Sequence, residues 1–358
     1  MAKIELSGLA HAYNTVDGKP NYALHPLDLT WEDGGTYALL GPSGCGKSTM
    51  LNIVSGLLTP SEGSVLINGV DMTSVGAVKR NIAQVFQFPV VYPSKTVFEN
   101  LAFPLRCRNK PKADIDRRVN EVAGLLNLDG LLQKSARKLT PDLKQLISLG
   151  RGLVRDDVAV ILMDEPLTVI DPQLKFSLRR KLRDISARHG HTLVYVTHDQ
   201  NEAMTLAEQV VVMDHGRVVQ MGSPQALFEE PVHRHVGYFI GSPAMNFLEG
   251  AVDRGTVSVF GREIGTLRSA EGRSLSQVVV GIRPEFVTLA DGPEAGTLPA
   301  TITDVQDMGC FAIVSADLGN KTVIKLRARD HVPAVGATSH LVLEREKVRF
   351  YRDNWLVS

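Results

Sequence analysis

The chain has 358 residues, more than a typical single domain, and about 150 residues per domain predicts two or three domains. Hydrophobic residues make up 44% and charged residues 22%, a balance that excludes a disordered or fibrous chain. Basic and acidic residues number 39 each, so the formal net charge is zero. This balance argues against nucleic acid as a partner, because binding to a phosphate backbone usually leaves a basic excess.

Membrane spans, secretion signals and disulfide frameworks are not indicated. The longest apolar runs, residues 158–163 and 210–213, fall far below the roughly 20 residues that span a bilayer. The first residues alternate as in a strand and lack the basic and apolar regions of a signal peptide, which predicts a cytoplasmic protein. The 3 cysteines, Cys45, Cys107 and Cys310, are widely spaced, so neither paired disulfides nor a metal cluster is predicted.

The first part of the chain mixes short β-branched runs with amphipathic stretches, which predicts an α/β domain. The predicted buried strands are residues 36–40, 82–86, 158–164, 192–197 and 209–213. Apolar residues recur three and four positions apart in the predicted helices. These helices are residues 114–126, 144–154 and 174–188.

The sequence pattern changes after Pro231. From there on, Gly and Pro recur every few residues and separate short segments in which apolar and polar residues alternate. That pattern predicts a small β-barrel or sandwich. The alternating segments are residues 256–260, 277–282, 322–327 and 340–348. We place the domain boundary in the loop around residues 237–243, which predicts one domain at residues 1–236 and a β-rich one at residues 237–358.

A phosphate-binding loop follows the first buried strand and precedes a helix-like segment at residues 50–56. The residues that fit GxxxxGK[ST] and its extension are Gly41, Pro42, Ser43, Gly44, Cys45, Gly46, Lys47, Ser48 and Thr49. Glycines let backbone amides face a phosphate, Lys47 supplies a positive charge, and Ser48 can ligate Mg²⁺. The pattern predicts that ATP and Mg²⁺ bind here.

Two carboxylates stand at the exit of the predicted strand 158–164. Asp164 is predicted to hold the Mg²⁺ shell, and Glu165 to polarise the attacking water. Alone, such a pair is commonly solvated surface or a helix cap. Together with the phosphate loop, however, the pair of carboxylates indicates that the chain hydrolyses ATP.

Four further residues follow in the order found in the ATPase subunits of ABC transporters, and the chain resembles that family over nearly its whole length. The resemblance implies that Tyr13 stacks on adenine and that Gln87 belongs to the Q-loop, which touches Mg²⁺ and water. It also implies that Asp171 lies in the D-loop at the dimer interface and that His198 is the switch histidine near the γ-phosphate. Singly, each residue has a plain structural explanation; their joint order favours the family.

Segments near the C-terminus resemble the maltose-type importers of carbohydrates. The segments are residues 216–224, 241–249 and 281–285. The resemblance implies a P-loop ABC ATPase domain with a helical subdomain at about residues 88–155, followed by a small OB-like regulatory barrel. Sequence segments within residues 139–175 also resemble the ATPase subunits of glycerol importers, which occur as pairs of two different ATPase subunits.

The family signature, LSGGQ, is replaced by L-T-P-D-L at residues 139–143. Thr140 can cap the following helix and Pro141 suits its first position. Pro141 lacks an N–H, however, and Asp142 places a carboxylate where a γ-phosphate should dock. In the family this dimer-interface segment closes on the partner's ATP, so we predict one of two non-identical ATPase subunits.

The resemblance implies a peripheral subunit at the cytoplasmic face of the inner membrane that energises import of glycerol or another polyol or carbohydrate. Two membrane-spanning permease subunits are implied as partners, with a solute-binding protein as an indirect one. Residues 88–100 are implied to line the groove for a permease helix. The alternatives are a non-catalytic structural subunit, a soluble ABC ATPase of repair or translation, and a P-loop kinase.

Overall fold

The computed structural model describes residues 2–269, 272, 274–290, 292–293, 296–329 and 331–357. The chain forms two compact units, Met1–Pro224 and Gln225–Ser358. The division lies earlier than the boundary predicted at residues 236 and 237. None of the helices in the described ranges is long and apolar enough to cross a bilayer.

The first unit alternates strands with helices. Its elements are Ile4–Val16 (β1), Lys19–Trp31 (β2), Thr36–Leu40 (β3), Lys47–Ser55 (α1), Glu62–Ile67 (β4), Val70–Asp71 (β5), Ala83–Val85 (β6), Val97–Arg106 (α2), Lys112–Leu125 (α3), Pro141–Leu153 (α4), Val160–Asp164 (β7), Pro172–His189 (α5), Thr192–Thr197 (β8), Gln200–Leu206 (α6), Gln209–Asp214 (β9) and Arg217–Gly222 (β10).

A mostly parallel sheet occupies the centre of this unit, with strand order β10-β9-β3-β8-β7-β6. The strands β9, β3, β8, β7 and β6 pair in parallel, and β10 is antiparallel at the edge. Every residue of β3 and β8 is buried. Strands covered on both faces read as continuous apolar runs, which is why the sequence revealed them. The predicted strands 82–86 and 158–164 are shorter in the structure.

A second, antiparallel sheet has the order β2-β1-β4-β5. Its buried side chains, including Ile4 and Trp31, share one core with Met50 and Ile53 of α1. This core covers one face of the parallel sheet through β3 residues such as Leu39. Only the beginning of β1 was predicted.

The helices α2, α3 and α4 lie between β6 and β7 in the chain, together with short 3-10 turns at Asp129–Leu131 and Ala136–Lys138. Their buried residues form a second core with the parallel sheet. Helix α2, which was not predicted, begins at a capping box in which Thr96 Oγ1 accepts from the Glu99 N–H at 3.1 Å. The Glu99 carboxylate accepts from the Thr96 N–H at 2.9 Å in return.

The second unit is β-rich. From the boundary onward its elements are Pro224–Glu229 (α7), Arg234–Phe239 (α8), Asn246–Asp253 (β11), Thr256–Val259 (β12), Arg262–Thr266 (β13), Gln277–Ile282 (β14), Val287–Ala290 (β15), Leu298–Asp307 (β16), Ala312–Asp317 (β17), Val323–Ala328 (β18), Thr338–Leu343 (β19), Arg349–Arg352 (β20) and Trp355–Val357 (β21). The strands form two antiparallel sheets, β13-β12-β11-β14-β20-β21 and β15-β19-β16-β17-β18, around one shared core. The predicted strand 340–348 is interrupted by a 3-10 turn at Arg345–Lys347.

Barrel side chains hold the helical segment that precedes the barrel. Arg283 donates to the carbonyls of Phe228 and Ile240, the latter at 2.6 Å, and Tyr351 donates to the Pro231 carbonyl at 2.8 Å. Burial lowers the pKa of Arg283 to about 10, which leaves the guanidinium charged at neutral pH. These bonds explain why the compact unit begins before residue 237.

Candidate functional site

The carboxyl ends of four neighbouring parallel strands meet at one edge of the central sheet. Strand β3 leads into the phosphate loop, and β7 ends at Asp164. Strand β8 ends one residue before His198, and β6 ends two residues before Gln87. Because parallel strands place their carboxyl ends on the same edge, residues distant in sequence converge there, where α/β proteins bind ligands.

The phosphate loop depends on two glycines. Gly46 precedes α1 with a left-handed φ of 98°, and a Cβ at this position would lie 2.7 Å from the Ala23 carbonyl oxygen. A Cβ at Gly41 would lie 2.3 Å from the Met213 carbonyl oxygen. Any larger residue would therefore push the loop away from the backbone of β2 at Gly46 and of β9 at Gly41.

Lys47 is the first residue of α1, and its side chain folds back over the loop. Its ammonium donates to the Gly41 carbonyl at 2.9 Å and to the Pro42 carbonyl at 2.8 Å. The Cys45 sulfur lies 3.7 Å from the same nitrogen. Burial raises the pKa of the Cys45 thiol, so that thiol stays neutral and serves as packing beneath the loop.

Ser48 and Asp164 supply oxygen atoms side by side. The Ser48 hydroxyl donates to Asp164 Oδ1 at 3.2 Å. Burial raises the pKa of Asp164, and the hydrogen bond from Ser48 opposes that shift. Hydroxyl and carboxylate oxygens are ligands that Mg²⁺ prefers, so this pair fits the ion predicted from the sequence.

The carboxylate of Glu165 lies between two of the predicted residues. Gln87 Nε2 donates to one carboxylate oxygen at 3.3 Å, and His198 Nδ1 lies 3.1 Å from the other. The Glu165 N–H donates to the Val196 carbonyl of β8 at 3.0 Å, which ties the start of the loop to the neighbouring strand. Thr168, which the sequence analysis missed, donates to the same carboxylate at 3.4 Å.

Tyr13 stands at the other side of the site, on β1. Its ring is 63% exposed, and its hydroxyl lies 3.2 Å from Thr49 Oγ1 at the start of α1. The His11 ring supports it from the edge, with 4.6 Å between ring centroids. An exposed aromatic ring beside a phosphate loop provides a face on which a base can stack.

A cleft of about 520 Å³ joins these groups. Its walls are Tyr13, Ala23, Ser43, Gly44, Gly46, Lys47, Ser48, Thr49, Gln87, Glu165, Thr168 and His198. Four further predicted residues lie behind these walls and contact the wall residues Lys47 or Ser48: Gly41, Pro42, Cys45 and Asp164. Ala23 and Thr168 were not predicted, although Thr168 follows Glu165-Pro166 in a turn closed by the Thr168 N–H and the Glu165 carbonyl at 3.3 Å.

The predicted dimer-interface residues do not line this cleft. Thr140 is exposed and occupies the N-cap position of α4, as predicted, but its side chain makes no capping hydrogen bond. Pro141 is the first helical residue, as predicted, and Asp142 is half-buried. Asp171 is exposed before α5, where its carboxylate accepts from the Gln173 N–H at 2.9 Å.

A cleft of about 580 Å³ lies on the first sheet of the second unit, lined by residues that include Glu249, Gln277 and Arg352. None of the predicted residues lies there. The predicted motifs converge on the smaller cleft, which is therefore the candidate site.

Comparison with known proteins agrees with this assignment. The family described as ABC transporter matches residues 24–168, the MalK OB fold domain matches residues 241–287, and the TOBE domain matches residues 280–350. The sn-glycerol-3-phosphate import ATP-binding protein UgpC of Salmonella typhimurium is 38% identical over 352 residues, which cover 96% of each chain. Its counterpart from Escherichia coli K12 is 38% identical over 357 residues, with 98% of each chain covered.

Solved structures agree for the first unit. A dimeric, post-hydrolysis ATP-binding cassette bound to ADP and Pi superposes with a TM-score of 0.56 at 26% identity, covering 62% of this chain and 98% of its own. The structure of cbiO1 from Clostridium perfringens, part of an ABC transporter complex, gives a TM-score of 0.57 at 27% identity, covering 63% and 90%. The phosphate loop, the strand-end carboxylates and the C-terminal barrel together show that the chain belongs to the ATP-binding, ATP-hydrolysing subunits of ABC importers.

Proposed function

We propose that this chain energises the import of a polyol or polyol phosphate, with glycerol and sn-glycerol-3-phosphate as the first candidates, or of a related carbohydrate. The relatives over nearly the whole chain are import proteins for sn-glycerol-3-phosphate. We also propose that the first unit, Met1–Pro224, binds the nucleotide and that the second, Gln225–Ser358, forms a regulatory part.

Binding of ATP uses groups already arranged around the cleft. When ATP binds, phosphate oxygens replace the Gly41 and Pro42 carbonyls as hydrogen-bond acceptors of the Lys47 ammonium. The N–H groups of the loop and the N-terminus of α1 stabilise the negative charge of the phosphates. Tyr13 stacks on the adenine. Ser48, Asp164 and Gln87 hold Mg²⁺, which neutralises phosphate charge when bound.

The contacts of Glu165 carry the proposal for hydrolysis. Glu165 lines the cleft, and its carboxylate contacts Gln87 through one oxygen and His198 through the other. A carboxylate held in this way can accept a proton from a water molecule that attacks the γ-phosphate. His198 lies 3.1 Å from the carboxylate and lines the same cleft, so in this proposal it keeps the carboxylate aimed and contacts the γ-phosphate.

The variant Glu165→Gln tests the proposed role in ATP hydrolysis. The assay uses the whole transporter complex, co-purified with the full-length chain. The amide retains the shape of the side chain but cannot take a proton, so we expect kcat to fall roughly 10²-fold or more. ATP binding should persist, because Glu165 does not belong to the phosphate loop. Glu346→Gln, a change at an exposed residue of the 3-10 turn Arg345–Lys347, serves as the matched control. Undiminished turnover by Glu165→Gln would refute the proposed mechanism.

Association with permease subunits at the cytoplasmic face of the inner membrane is the second part of the proposal. The segment after Gln87 exposes Phe88 to 73% and Val90 to 48%. Beside it lies a groove of about 210 Å³ whose walls include Phe86, Val90 and Arg151 of α4. Exposed apolar side chains next to a groove are typical of a protein-docking surface, and the groove adjoins the loop that carries Gln87.

The unequal pair of ATPases remains a prediction. It rests on residues 140–142 and on the resemblance of residues 139–175 to the ATPases of glycerol importers. The relatives offer no support for a second, non-identical ATPase subunit. Co-purification with the membrane subunits and intact mass measurement count the ATPase species directly. Recovery of this chain as the single ATPase would make the prediction wrong, as would equal losses from Glu165→Gln here and the equivalent change in a partner.

The solute is tested by transport. Cells that express the complete complex are given labelled sn-glycerol-3-phosphate, glycerol and maltose in separate uptake assays. We expect uptake of one of the first two to depend on Glu165. Uptake of maltose alone would reject the polyol assignment and leave the ATPase assignment intact.

A further inference from the structure

A carboxylate outside the cleft is almost completely buried. Glu202, in the first turn of α6, is 5% exposed and was singled out by none of the sequence patterns. Burial of a carboxylate is costly unless hydrogen bonds and an opposite charge compensate it. The hydrogen-bond and ion-pair partners of Glu202 therefore indicate which role this buried carboxylate has.

Among the residues that the structure describes, three side chains contact the Glu202 carboxylate. The hydroxyls of Tyr195 and Thr197, both on β8, donate to the same carboxylate oxygen at 2.7 and 2.9 Å. The ammonium of Lys175 lies 3.8 Å from the other oxygen. Burial, followed by the negative charge of Glu202, raises the pKa of Tyr195 well above its ordinary value, so the phenol remains a donor.

One branch of this network reaches the loop of His198. The Thr197 hydroxyl also accepts from the Asp199 N–H at 3.0 Å, and the Asp199 carboxylate accepts from the Asn201 N–H at 2.7 Å. The residues on both sides of His198 are thus anchored. The His198 side chain is itself 53% exposed, so its position 3.1 Å from Glu165 depends on this backbone anchoring.

The other branch reaches the segment of Asp171. Lys175 lies in the first turn of α5, and its N–H donates to the Asp171 carbonyl at 2.9 Å. The Asp171 carboxylate accepts from the Gln173 N–H in the same turn. The Lys175 side chain therefore connects the start of α5, and Asp171 with it, to α6.

We propose that Glu202 is a positioning residue that joins the loop of His198 to the turn of Asp171, so that the two segments move together. This inference rests on the role proposed for Glu165 and His198. None of Glu202, Tyr195, Thr197 and Lys175 lines the nucleotide cleft. Loss of the connection should therefore slow hydrolysis through misplacement of His198 and leave ATP binding unchanged.

Steady-state kinetics of the purified transporter complex test the proposal. Glu202→Gln keeps the side-chain volume but removes the charge, and we expect kcat to fall about tenfold while the KM for ATP changes less than twofold. Lys175→Met breaks the connection at its other end. The double variant should be no slower than Glu202→Gln alone, because both changes interrupt one connection.

Lys181→Met is the matched control on α5. Its ammonium bonds the Leu125 carbonyl at 2.6 Å and Asn127 Oδ1 at 3.1 Å, away from Glu202, so kcat should stay unchanged. Unchanged kcat in Glu202→Gln, an increase in KM that matches the fall in kcat, or additive losses in the double variant would each overturn the proposal. A purely structural role would lower stability without this pattern.

Two further measurements keep the outcome clear. If Glu202→Gln fails to fold, Lys175→Met alone decides, since its side chain is 24% exposed and its loss leaves the Glu202 hydroxyl partners in place. Glu165→Gln is measured alongside. Loss of turnover in Glu165→Gln without loss in Glu202→Gln rejects only the positioning role, whereas full turnover in Glu165→Gln rejects the proposed function itself.

Discussion

Glu165 adopts a left-handed backbone conformation, with φ of 42°, directly after the last residue of β7. A non-glycine residue in this region is strained and persists only where surrounding contacts hold it. Here the backbone bond to Val196 and the side-chain contacts with Gln87 and His198 hold it. The neighbouring Asp164 carries a second cost, because its charge is partly removed from water.

We expect Asp164→Asn to raise the thermal unfolding midpoint of the nucleotide-free chain at pH 7 by about 1–3 °C while abolishing Mg²⁺-dependent turnover. The pKa of Asp164 is raised above its ordinary 3.8, so the folded chain binds more protons than the unfolded chain between the two values. Stability therefore falls as pH rises through that window, and the full penalty is present at pH 7.

Calorimetry at pH 7 and near pH 4 checks this expectation. The gain from Asp164→Asn should shrink toward the lower pH, where Asp164 is increasingly protonated in both states. Asp116→Asn on α3 is the matched control. A lower midpoint for Asp164→Asn at pH 7 would contradict the argument from burial.

The first residues of helix α4 suit the formation of the helix but are unfavourable for binding a phosphate group. Pro141 occupies the first helical position, where a missing N–H does no harm to the helix. The same position lacks a donor for an anion, and Asp142 adds negative charge there. The element thus favours its own formation over phosphate binding.

Replacing residues 140–142 with Ser-Gly-Gly should raise ATP turnover of the complex, by about tenfold if one phosphate-binding turn is restored. The helix should lose about 1 kcal/mol per introduced glycine, seen as a lower unfolding midpoint. Thr140→Ser alone should leave the midpoint unchanged, because Thr140 forms no side-chain cap. Unchanged turnover in the triple variant would show that the signature does not limit hydrolysis.

The two compact units have separate cores, and the described residues of the nucleotide cleft all belong to the first. The second unit depends on Arg283, which is 1% exposed and donates to backbone carbonyls of the segment that precedes the barrel. Its guanidinium also lies 4.0 Å from the centroid of the Phe228 ring.

Arg283→Met should therefore destabilise the second unit by roughly 2–4 kcal/mol, because buried carbonyls lose their donors. ATP binding by the same chain should persist, since no residue of the cleft is changed. Calorimetry and titration with a fluorescent ATP analogue measure the two effects, with Arg262→Met as an exposed control. Loss of ATP affinity equal to the loss of stability would contradict this separation.

Sequence alone determined the buried strands 36–40 and 192–197, the phosphate loop, the strand-end carboxylates and the β-rich C-terminal part. These features are local, since apolar runs, loop glycines and turn residues act over a few neighbouring positions. Tertiary structure decided the antiparallel sheet β2-β1-β4-β5, the extent of the second unit, the contact of Thr168 with Glu165 and the network around Glu202. Gln87 meets Glu165 across 78 positions of sequence because β6 and β7 are neighbours in the sheet, and strand order follows from packing of the whole chain rather than from any local pattern.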